Sequence, residues 1–372
     1  MGEGSRITTR REFLGTTAGA LAGLAFIPCD LLTAAPALAQ APRRQVVVSG
    51  KRAKVVDVHA HCAVPAAMAL MNLKLGEGGQ RPDLDVATEA AVRLRAMDEQ
   101  GIDMEALSIN PYWYKAERDL AKRLIQIQNE KLAEACATHR DRFVAFASVA
   151  LQHPDLAAEQ LEEGVKKYGL RGAAIGGSVN DDEISDPKFH PFWAKAEQLG
   201  VLVFIHPQGP GAPTQLARRF KGNGYLQNVI GNPLETTIAL SHLIFEGTLD
   251  KFPGLKICAA HAGGFLPSYA GRSDVGCFTR PDLCPGGPWG PIKRKPSEYL
   301  KQLYFDSMVF TPEGLRHLAA EAGASQVVLG TDFPFPWTKT AVDHVLATPG
   351  LSDEQKLAVL GGTAMKLLGI NA

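Results

Sequence analysis

The sequence predicts a (β/α)₈ barrel, the TIM-barrel fold, with long loops over its C-terminal face. After residue 50 the chain alternates short apolar runs with amphipathic helical stretches, and eight such runs are present. Short apolar runs without polar alternation are typical of parallel strands that are buried on both faces. Eight strand–helix repeats favour a closed α/β barrel over a doubly wound open sheet, which is the alternative.

The predicted elements follow one another along the whole chain. Strands are expected at residues 54–59, 104–109, 143–149, 172–175, 201–206, 255–261, 303–307 and 326–332. Helices are expected at residues 116–138, 155–168, 192–199, 235–247 and 311–322. Segments 62–90, 207–234 and 265–300 exceed ordinary βα loop lengths. The last two follow strands five and six, so we expect them over the barrel mouth.

Residues 1–40 have the features of an export signal. Arg10 and Arg11 form a twin-arginine pair, a weakly apolar stretch follows, and residues 37–39 resemble a cleavage site. The apolar run is shorter than the ~20 residues of a membrane span. We expect a twin-arginine-type signal peptide over 1–40 and a barrel domain over 41–372. This predicts the twin-arginine export machinery as a partner, a periplasmic or otherwise exported protein, and no stable membrane insertion after processing. An uncleaved anchor is the alternative.

Composition favours a protein that acts on small molecules. The chain has 39 basic and 39 acidic residues, so its formal net charge is zero. Because the chain has no excess of positive charge, its composition does not indicate a nucleic-acid partner. Five of the six cysteines lie beyond residue 40 at irregular spacing. Cys277 and Cys284 are near enough in sequence to pair, but reduced cysteines are the expectation.

Polar side chains stand at the ends of four predicted strands. His59 and His61 end the first strand, His206 the fifth, His261 the sixth and Asp332 the eighth. Residues two apart in a strand point to the same side, so the first two imidazoles should converge. The C-terminal ends of barrel strands share one rim, where active sites are built. The pattern therefore predicts a metal site.

Imidazole and carboxylate ligands suit a borderline divalent cation. We expect one such ion, zinc, with Mn²⁺, Fe²⁺ and Co²⁺ as alternatives. A bound cation can lower the pKa of water from ~16 toward ~7. A histidine whose pKa is near ~6.5 can exchange protons at neutral pH, so His261 is a candidate acid or base.

Longer motifs extend the pattern around these residues. They are D-V-H-A-H (57–61), V-F-I-H-P (203–207), N-P-L-E-T-T-I-A (232–239), F-P-G-L-K-I-C-A-A-H-A-G-G (252–264), R-P-D-L-C (280–284) and L-G-T-D-F-P-F-P (329–336). Over roughly residues 54–370 the sequence resembles the amidohydrolase superfamily. Within it, the sequence is similar to the amidohydrolase-related branch that contains α-amino-β-carboxymuconate-ε-semialdehyde decarboxylase. The resemblance implies a barrel of the metal-dependent hydrolase type.

The resemblance implies roles for the strand-end residues. The implied metal ligands are His59, His61, His206 and Asp332. His261 is implied to be the catalytic histidine, and Asp332 can also orient the reacting water. Other superfamily members bridge two metals through a Lys or Glu on strand four. The fourth predicted strand reads G-A-A-I-G-G, so a mononuclear site is expected.

Arg272 and Arg280 resemble arginines that hold substrate carboxylates in this family, in some members from a neighbouring subunit. The alternative is that Arg280 pairs with Asp282 or another nearby acid. Asp306, on the seventh strand, is a candidate for contacting a metal-binding residue without binding the metal itself. The resemblance also makes a homodimer plausible.

The implied function is that of a metal-dependent decarboxylase, a carboxy-lyase acting on a small unsaturated or aromatic carboxylate. A metal-dependent hydrolase that cleaves a lactone, ester or amide is the alternative. A hydratase and a non-catalytic binding protein are the remaining readings. The three enzymes would share the same metal–water–histidine machinery, so the residues around the metal do not separate them.

Overall fold

The computed structural model describes most of the chain after the predicted signal peptide. The described residues are 42–76, 84–86, 90–208, 218–283 and 291–371. Residues from Arg43 onward form one compact unit. The predicted signal peptide, residues 1–40, lies outside the described residues. Within the described ranges, no helix is both long and apolar enough to cross a membrane.

Eight short parallel strands form the centre of the fold. They are β1 (Val56–His61), β2 (Met104–Ser108), β3 (Phe143–Ala145), β4 (Gly172–Gly176), β5 (Leu202–His206), β6 (Lys256–Ala259), β7 (Leu303–Asp306) and β8 (Val327–Val328). Strands β1–β3 form one arc and β4–β8 another. Parallel bridges join the arcs at both seams, between Ala147 and Ala173 and between Asp57 and Leu329. The strands therefore close into a ring, and the predicted (β/α)₈ barrel is confirmed.

Helices surround this ring and connect its strands. They are α1 (Ala90–Gln100), α2 (Arg118–Thr138), α3 (Pro154–Lys166), α4 (His190–Leu199), α5 (Asn232–Phe245), α6 (Leu266–Thr279), α7 (Pro312–Ala322), α8 (Ala341–Ala347), α9 (Asp353–Leu357) and α10 (Thr363–Leu368). Each of the five predicted helices is found within a few residues of its expected bounds. Antiparallel two-residue strands pair Val47–Val48 with Lys51–Arg52 and Ser178–Val179 with Asp182–Glu183.

A cluster of apolar side chains drawn from every strand fills the ring below its C-terminal rim. Phe146 and Phe204 are fully buried in it and stack with ring centroids 5.7 Å apart. Burial of each such ring stabilises the fold by about 1.5–3 kcal/mol. The ring of Phe204 also contacts that of His59, with centroids 5.1 Å apart. The packed interior thus lies directly below the rim residues and contacts them.

Two expectations about the segment after β6 are wrong. Residues 265–300 were expected to be loop, but they contain α6 and a helical turn at Pro296–Lys301. Glycines lower helix propensity, and Gly271 and Gly276 hid the helical pattern of α6. The cysteines were expected to be reduced, but Cys277 on α6 is disulfide-bonded. A pairing of Cys277 with Cys284 was the alternative in the sequence analysis, but spacing along the chain does not show whether a thiol is oxidised.

Candidate metal centre

His59 and His61 lie at the C-terminal end of β1, and both are buried. Their Nε2 atoms are 3.0 Å apart, as expected for side chains that leave the same side of a strand. Ser108, which ends β2, places its Oγ 3.3 Å from Nδ1 of His61. Arg93 donates a hydrogen bond to the backbone carbonyl of His61. Neither neighbour was predicted from the sequence, although Ser108 stands near the end of a predicted strand on the same rim.

Asp332 and His206 face the β1 histidines from across the ring. The Oδ1 atom of Asp332 lies 2.8 Å from Nε2 of His61 and 3.2 Å from Nε2 of His59. The ring of His206 has its centroid 4.6 Å from that of His61. The structure therefore brings together all four residues that were predicted as ligands.

His261 lies on the more open side of this group. Its Nε2 atom is 3.8 Å from Oδ2 of Asp332, and its ring centroid is 5.1 Å from that of His206. The side chain of His261 remains 15% exposed, whereas that of His59 is fully buried. An imidazole that reaches both the cluster and open space suits a group that exchanges protons with a substrate.

His261 and Asp332 stand beyond the strands whose ends they were expected to form. Strand β6 ends at Ala259 and β8 at Val328. His261 and Asp332 have positive φ angles of 53° and 60°, a conformation that costs a non-glycine residue about 1–2 kcal/mol. The backbone N–H of Asp332 donates to the carbonyl of His59 at 2.8 Å. These turns aim both side chains back over the rim.

Asp306, at the end of β7, holds two members of the cluster at once. Its Oδ2 atom accepts hydrogen bonds from Nδ1 of His59 at 2.6 Å and from the backbone N–H of His261 at 2.8 Å. Its Oδ1 atom accepts from the backbone N–H of Ala262 at 2.8 Å. A carboxylate behind a ligating histidine fixes the ring and its tautomer, so that the other nitrogen faces the metal.

The donor atoms of the cluster fit a divalent cation. His59, His206, His261 and Asp332 each offer one ligand atom, and these atoms all lie within 4.8 Å of one another. In the described part of the chain, both ring nitrogens of the buried His206 make no hydrogen bond. Buried polar atoms normally have partners, so these atoms fit a bound ion. The group within 4.8 Å includes His261 and omits His61, although Nε2 of His61 lies close to both His59 and Asp332.

Protonation states in the cluster favour cation binding at His206 and Asp332 and oppose it at His59. Burial, together with the neighbouring imidazoles, lowers the pKa of His206 well below its ordinary value. Burial would raise the pKa of Asp332, but the imidazoles of His59, His261 and His61 hold it well below the usual range of a carboxyl. Burial opposes protonation of His59, but the carboxylates of Asp332 and Asp306 raise its pKa to about 10. Ligands bind metals in deprotonated form, so a cation would displace the proton of His59.

Two cavities border the cluster. One, of about 310 Å³, is lined in part by His61, His206 and Asp332. The other, of about 420 Å³, is lined in part by His261. Both volumes lie in the range of small-molecule sites. Three residues line both cavities: Asn228, Asn232 and Trp337.

The two arginines predicted to bind substrate are not brought to the cluster by this chain. Arg272 lies on the exposed surface of α6. Arg280 follows that helix and forms a two-bond ion pair with Asp282, at 2.8 and 2.5 Å. This pairing was the alternative considered for Arg280. A role for either arginine in substrate binding stays a prediction.

Comparisons with known proteins identify the family of this chain. Residues 56–370 match the amidohydrolase family. The chain is 30% identical over 322 residues to 2-amino-3-carboxymuconate-6-semialdehyde decarboxylase of Dictyostelium discoideum, covering 85% of each protein. It is similar to the crystal structure of 5-carboxyvanillate decarboxylase from Sphingomonas paucimobilis, with a TM-score of 0.76 and 26% identity over 86% of this chain and 99% of that one.

A second solved structure includes a metal. It is a dihydroxybenzoic acid decarboxylase from Polaromonas sp. JS666, with bound manganese and the inhibitor 2-nitroresorcinol. The TM-score is 0.74 and the identity 28%, over 86% of this chain and 98% of that one. The fold, the strand-end motifs and these matches lead to one assignment. The chain belongs to the amidohydrolase family.

Proposed function

We propose that the protein is a metal-dependent decarboxylase that removes carbon dioxide from a small aromatic or unsaturated carboxylate. The observation that carries the proposal is the cluster of four histidines and Asp332, which lies beside two small-molecule cavities. Relatives that match most of the chain are decarboxylases by name. The fold alone would support many reactions, so the residues at the rim and these matches carry the argument.

The proposed ligands are His59, His61, His206 and Asp332. When bound, the divalent ion supplies positive charge that polarises substrate oxygens and can activate water. Asp306 positions His59 through the 2.6 Å hydrogen bond at Nδ1. Strand β4 contains only glycine, alanine and isoleucine, and so it offers no bridging side chain for a second ion.

His261 and Asp332 are proposed to handle the proton. In the reaction the bond between the substrate carbon and its carboxylate breaks, carbon dioxide leaves, and the carbon takes a proton in its place. His261 borders the larger rim cavity, and its Nε2 atom lies 3.8 Å from Asp332. It can therefore carry a proton to a substrate in that cavity, with the carboxylate of Asp332 stabilising the charged imidazole.

The reaction is tested by assaying purified, metal-loaded protein against hydroxybenzoates and unsaturated acids, with carbon dioxide release as the readout. A panel of lactones, esters and amides is assayed in parallel for acid release. Carbon dioxide release that requires the metal supports the proposal. Acid release alone would establish the hydrolase alternative, and hydration of an unsaturated acid would establish a hydratase. Substrate binding without turnover would indicate a binding protein.

Zinc is the proposed ion, because imidazole and carboxylate donors suit borderline divalent cations. Manganese is the alternative, since the Polaromonas relative holds it. Elemental analysis of protein purified from its native compartment should find about one equivalent of zinc. If the analysis instead finds stoichiometric manganese, manganese is the bound ion and the zinc assignment is wrong.

Export through the twin-arginine pathway to the periplasm is proposed from residues 1–40. The disulfide at Cys277 supports it, because disulfides persist mainly in oxidising compartments. Replacing Arg10 and Arg11 by lysine should leave the protein in the cytoplasm. Unchanged export of that variant would exclude the twin-arginine route.

A homodimer is proposed to bury exposed apolar side chains of α6. Val275 and Phe278, three residues apart on this helix and therefore neighbours on its surface, are 55% and 62% exposed, and exposed apolar patches mark interaction surfaces. Light scattering should give twice the monomer mass. Phe278→Asp should shift the mass toward that of the monomer, whereas the matched surface change Gln198→Asp on α4 should not.

A further inference from the structure

Arg93, on α1, carries a buried positive charge next to strands β1 and β2. Its Nη1 atom donates a hydrogen bond to Oε2 of Glu105, on β2, at 2.8 Å. The two side chains are only 4% and 1% exposed. A buried ion pair contributes little net stability, because the loss of hydration of both charges offsets their attraction. The other contacts of the guanidinium therefore indicate what the pair does.

The same guanidinium contacts residues on both sides of the seam between β8 and β1. Its Nη2 atom donates to the backbone carbonyl of His61, at the end of β1. Its central carbon lies 4.7 Å from the centroid of the Phe333 ring, which is a cation–π distance. Phe333 directly follows Asp332 in the chain. One side chain thus contacts a proposed metal ligand and the immediate neighbour of another.

The segment that contains Asp332 lies beyond the regular sheet. Strand β8 ends at Val328, and Asp332 has a positive φ angle of 60°. The backbone N–H of His61 donates to the carbonyl of Phe333 at 2.6 Å. Arg93 adds a side-chain link across this same junction, because it binds the carbonyl of His61 and covers the ring of Phe333.

The distance across this junction decides whether two ligands meet at one ion. Oδ1 of Asp332 lies 2.8 Å from Nε2 of His61, and a metal site needs its ligands within about 0.5 Å of the productive geometry. Arginine suits the task, since its planar fork donates in fixed directions while its face stacks on an aromatic ring. A lysine ammonium has neither the fork nor the face.

We propose that Arg93 is a positioning residue of the metal centre. It fixes the spacing between His61 and Asp332 by binding the carbonyl of one and the ring that follows the other. Glu105 holds the guanidinium in the orientation that makes both contacts. This rests on the metal ligands assigned under the proposed function, and Arg93 acts through these neighbours rather than as a ligand.

The test measures the metal centre without any substrate. Cobalt(II) is loaded into the protein, its visible absorption spectrum reports the ligand geometry, and competition with a chromophoric chelator gives its affinity. Arg93→Met keeps an unbranched side chain and removes the charge and the donors. It should weaken cobalt binding by about 10- to 100-fold, the usual effect of losing a group that orients a ligand, and it should change the visible spectrum.

Arg142→Met is the matched control. Nη2 of Arg142 pairs with Asp98 at 2.8 Å, and the side chain of Arg142 is 11% exposed. This arginine precedes β3 and so lies at the N-terminal end of the barrel, away from the rim. The variant should lower the midpoint of urea denaturation and leave the affinity for cobalt and the cobalt spectrum unchanged. Equal losses of affinity in Arg93→Met and Arg142→Met would overturn the inference, because the effect would then be one of general stability.

If Arg93→Met fails to fold, Arg93→Lys decides. Lysine keeps a positive charge beside Glu105 but cannot make both of the other contacts at once. We expect a folded protein with several-fold weaker cobalt binding and an altered spectrum. Wild-type affinity and spectrum in Arg93→Lys would overturn the inference.

Failure of this inference and failure of the proposed function give different results. The cobalt measurements need no substrate, so wild-type protein that releases no carbon dioxide counts against the proposed reaction alone. Full metal content in His61→Ala would overturn the inference, since Arg93 would then hold the carbonyl of a residue that is not a ligand.

Discussion

Both ends of the barrel carry charged and polar side chains, but among the described residues the two ends differ in how these side chains are paired. At the N-terminal ends of β1 and β2, Asp103 accepts a hydrogen bond from the backbone of Val55 at 2.7 Å and pairs with Arg52 at 2.6 Å. At the C-terminal rim, the buried His206 has no hydrogen-bond partner among the described residues for either ring nitrogen. A buried polar group without a partner costs about 1–3 kcal/mol. Such groups therefore mark the end where a ligand belongs.

Cavity size alone would have pointed to the wrong end. The cavity at the N-terminal ends of the strands measures about 710 Å³, which is larger than either rim cavity. Its wall includes Arg43, Arg52 and Asp103, and both arginines pair with that aspartate. Charges that satisfy one another stabilise the fold, whereas the rim directs its polar atoms at a common point.

The largest effect should come from Asp332→Asn, which removes the negative charge from the metal ligands. We expect loss of bound metal and a fall in kcat of at least about 100-fold. Elemental analysis and the carbon dioxide assay measure both effects. Asp103→Asn, at the other end of the barrel, is the matched control and should keep its metal and its kcat. Full metal content in Asp332→Asn would contradict the ligand assignment.

The next prediction distinguishes the roles of two histidines at the rim. His261→Ala should retain stoichiometric metal and lose about 10²- to 10⁴-fold in kcat, the usual contribution of a general acid or base. His61→Ala should lose the metal. The reverse pattern would show that His261 is a ligand and that His61 is not, as the group of atoms within 4.8 Å would allow.

Asp306→Asn should have an intermediate effect, because the asparagine keeps the shape and loses the charge behind His59. We expect metal affinity or activity to fall by about 10- to 100-fold. Competition with a chromophoric chelator measures the affinity, and circular dichroism checks the fold. An unchanged affinity would mean that the 2.6 Å hydrogen bond to His59 does not position this ligand.

The smallest effects should come from the paired charges. Asp103→Ala should lower the free energy of unfolding by about 2 kcal/mol, since it leaves the N–H of Val55 and two arginines without their partner. Its kcat should not change. Arg118→Ala breaks an exposed pair with Asp155, which solvent screens, so its effect on stability should be smaller than that of Asp103→Ala. Urea denaturation measures the stability loss in each variant. A loss of kcat in Asp103→Ala would contradict the functional difference between the two ends of the barrel.

The sequence predicted the ring and its metal residues for a physical reason. Buried parallel strands are short apolar runs, and H-x-H at a strand end places two imidazoles on one side. The left-handed turns at His261 and Asp332 were not predictable, because the backbone contacts at these turns come from distant strands. The N–H of Asp332 bonds to the carbonyl of His59, and the N–H of His261 bonds to Oδ2 of Asp306. That Asn228, Asn232 and Trp337 line both cavities became visible only when distant segments met around them.

Closure of the ring across the seam between β8 and β1 has a consequence for how the protein matures. His59 comes early in the chain and Asp332 late, yet the backbone N–H of Asp332 bonds to the carbonyl of His59. A chain still emerging from the ribosome lacks Asp332 until nearly all of it has been made, so it cannot hold the ion with the full set of ligands. Metal loading would then report that synthesis and folding are complete. If the folded protein is exported as proposed above, the metal would be chosen from the supply inside the cell, before export.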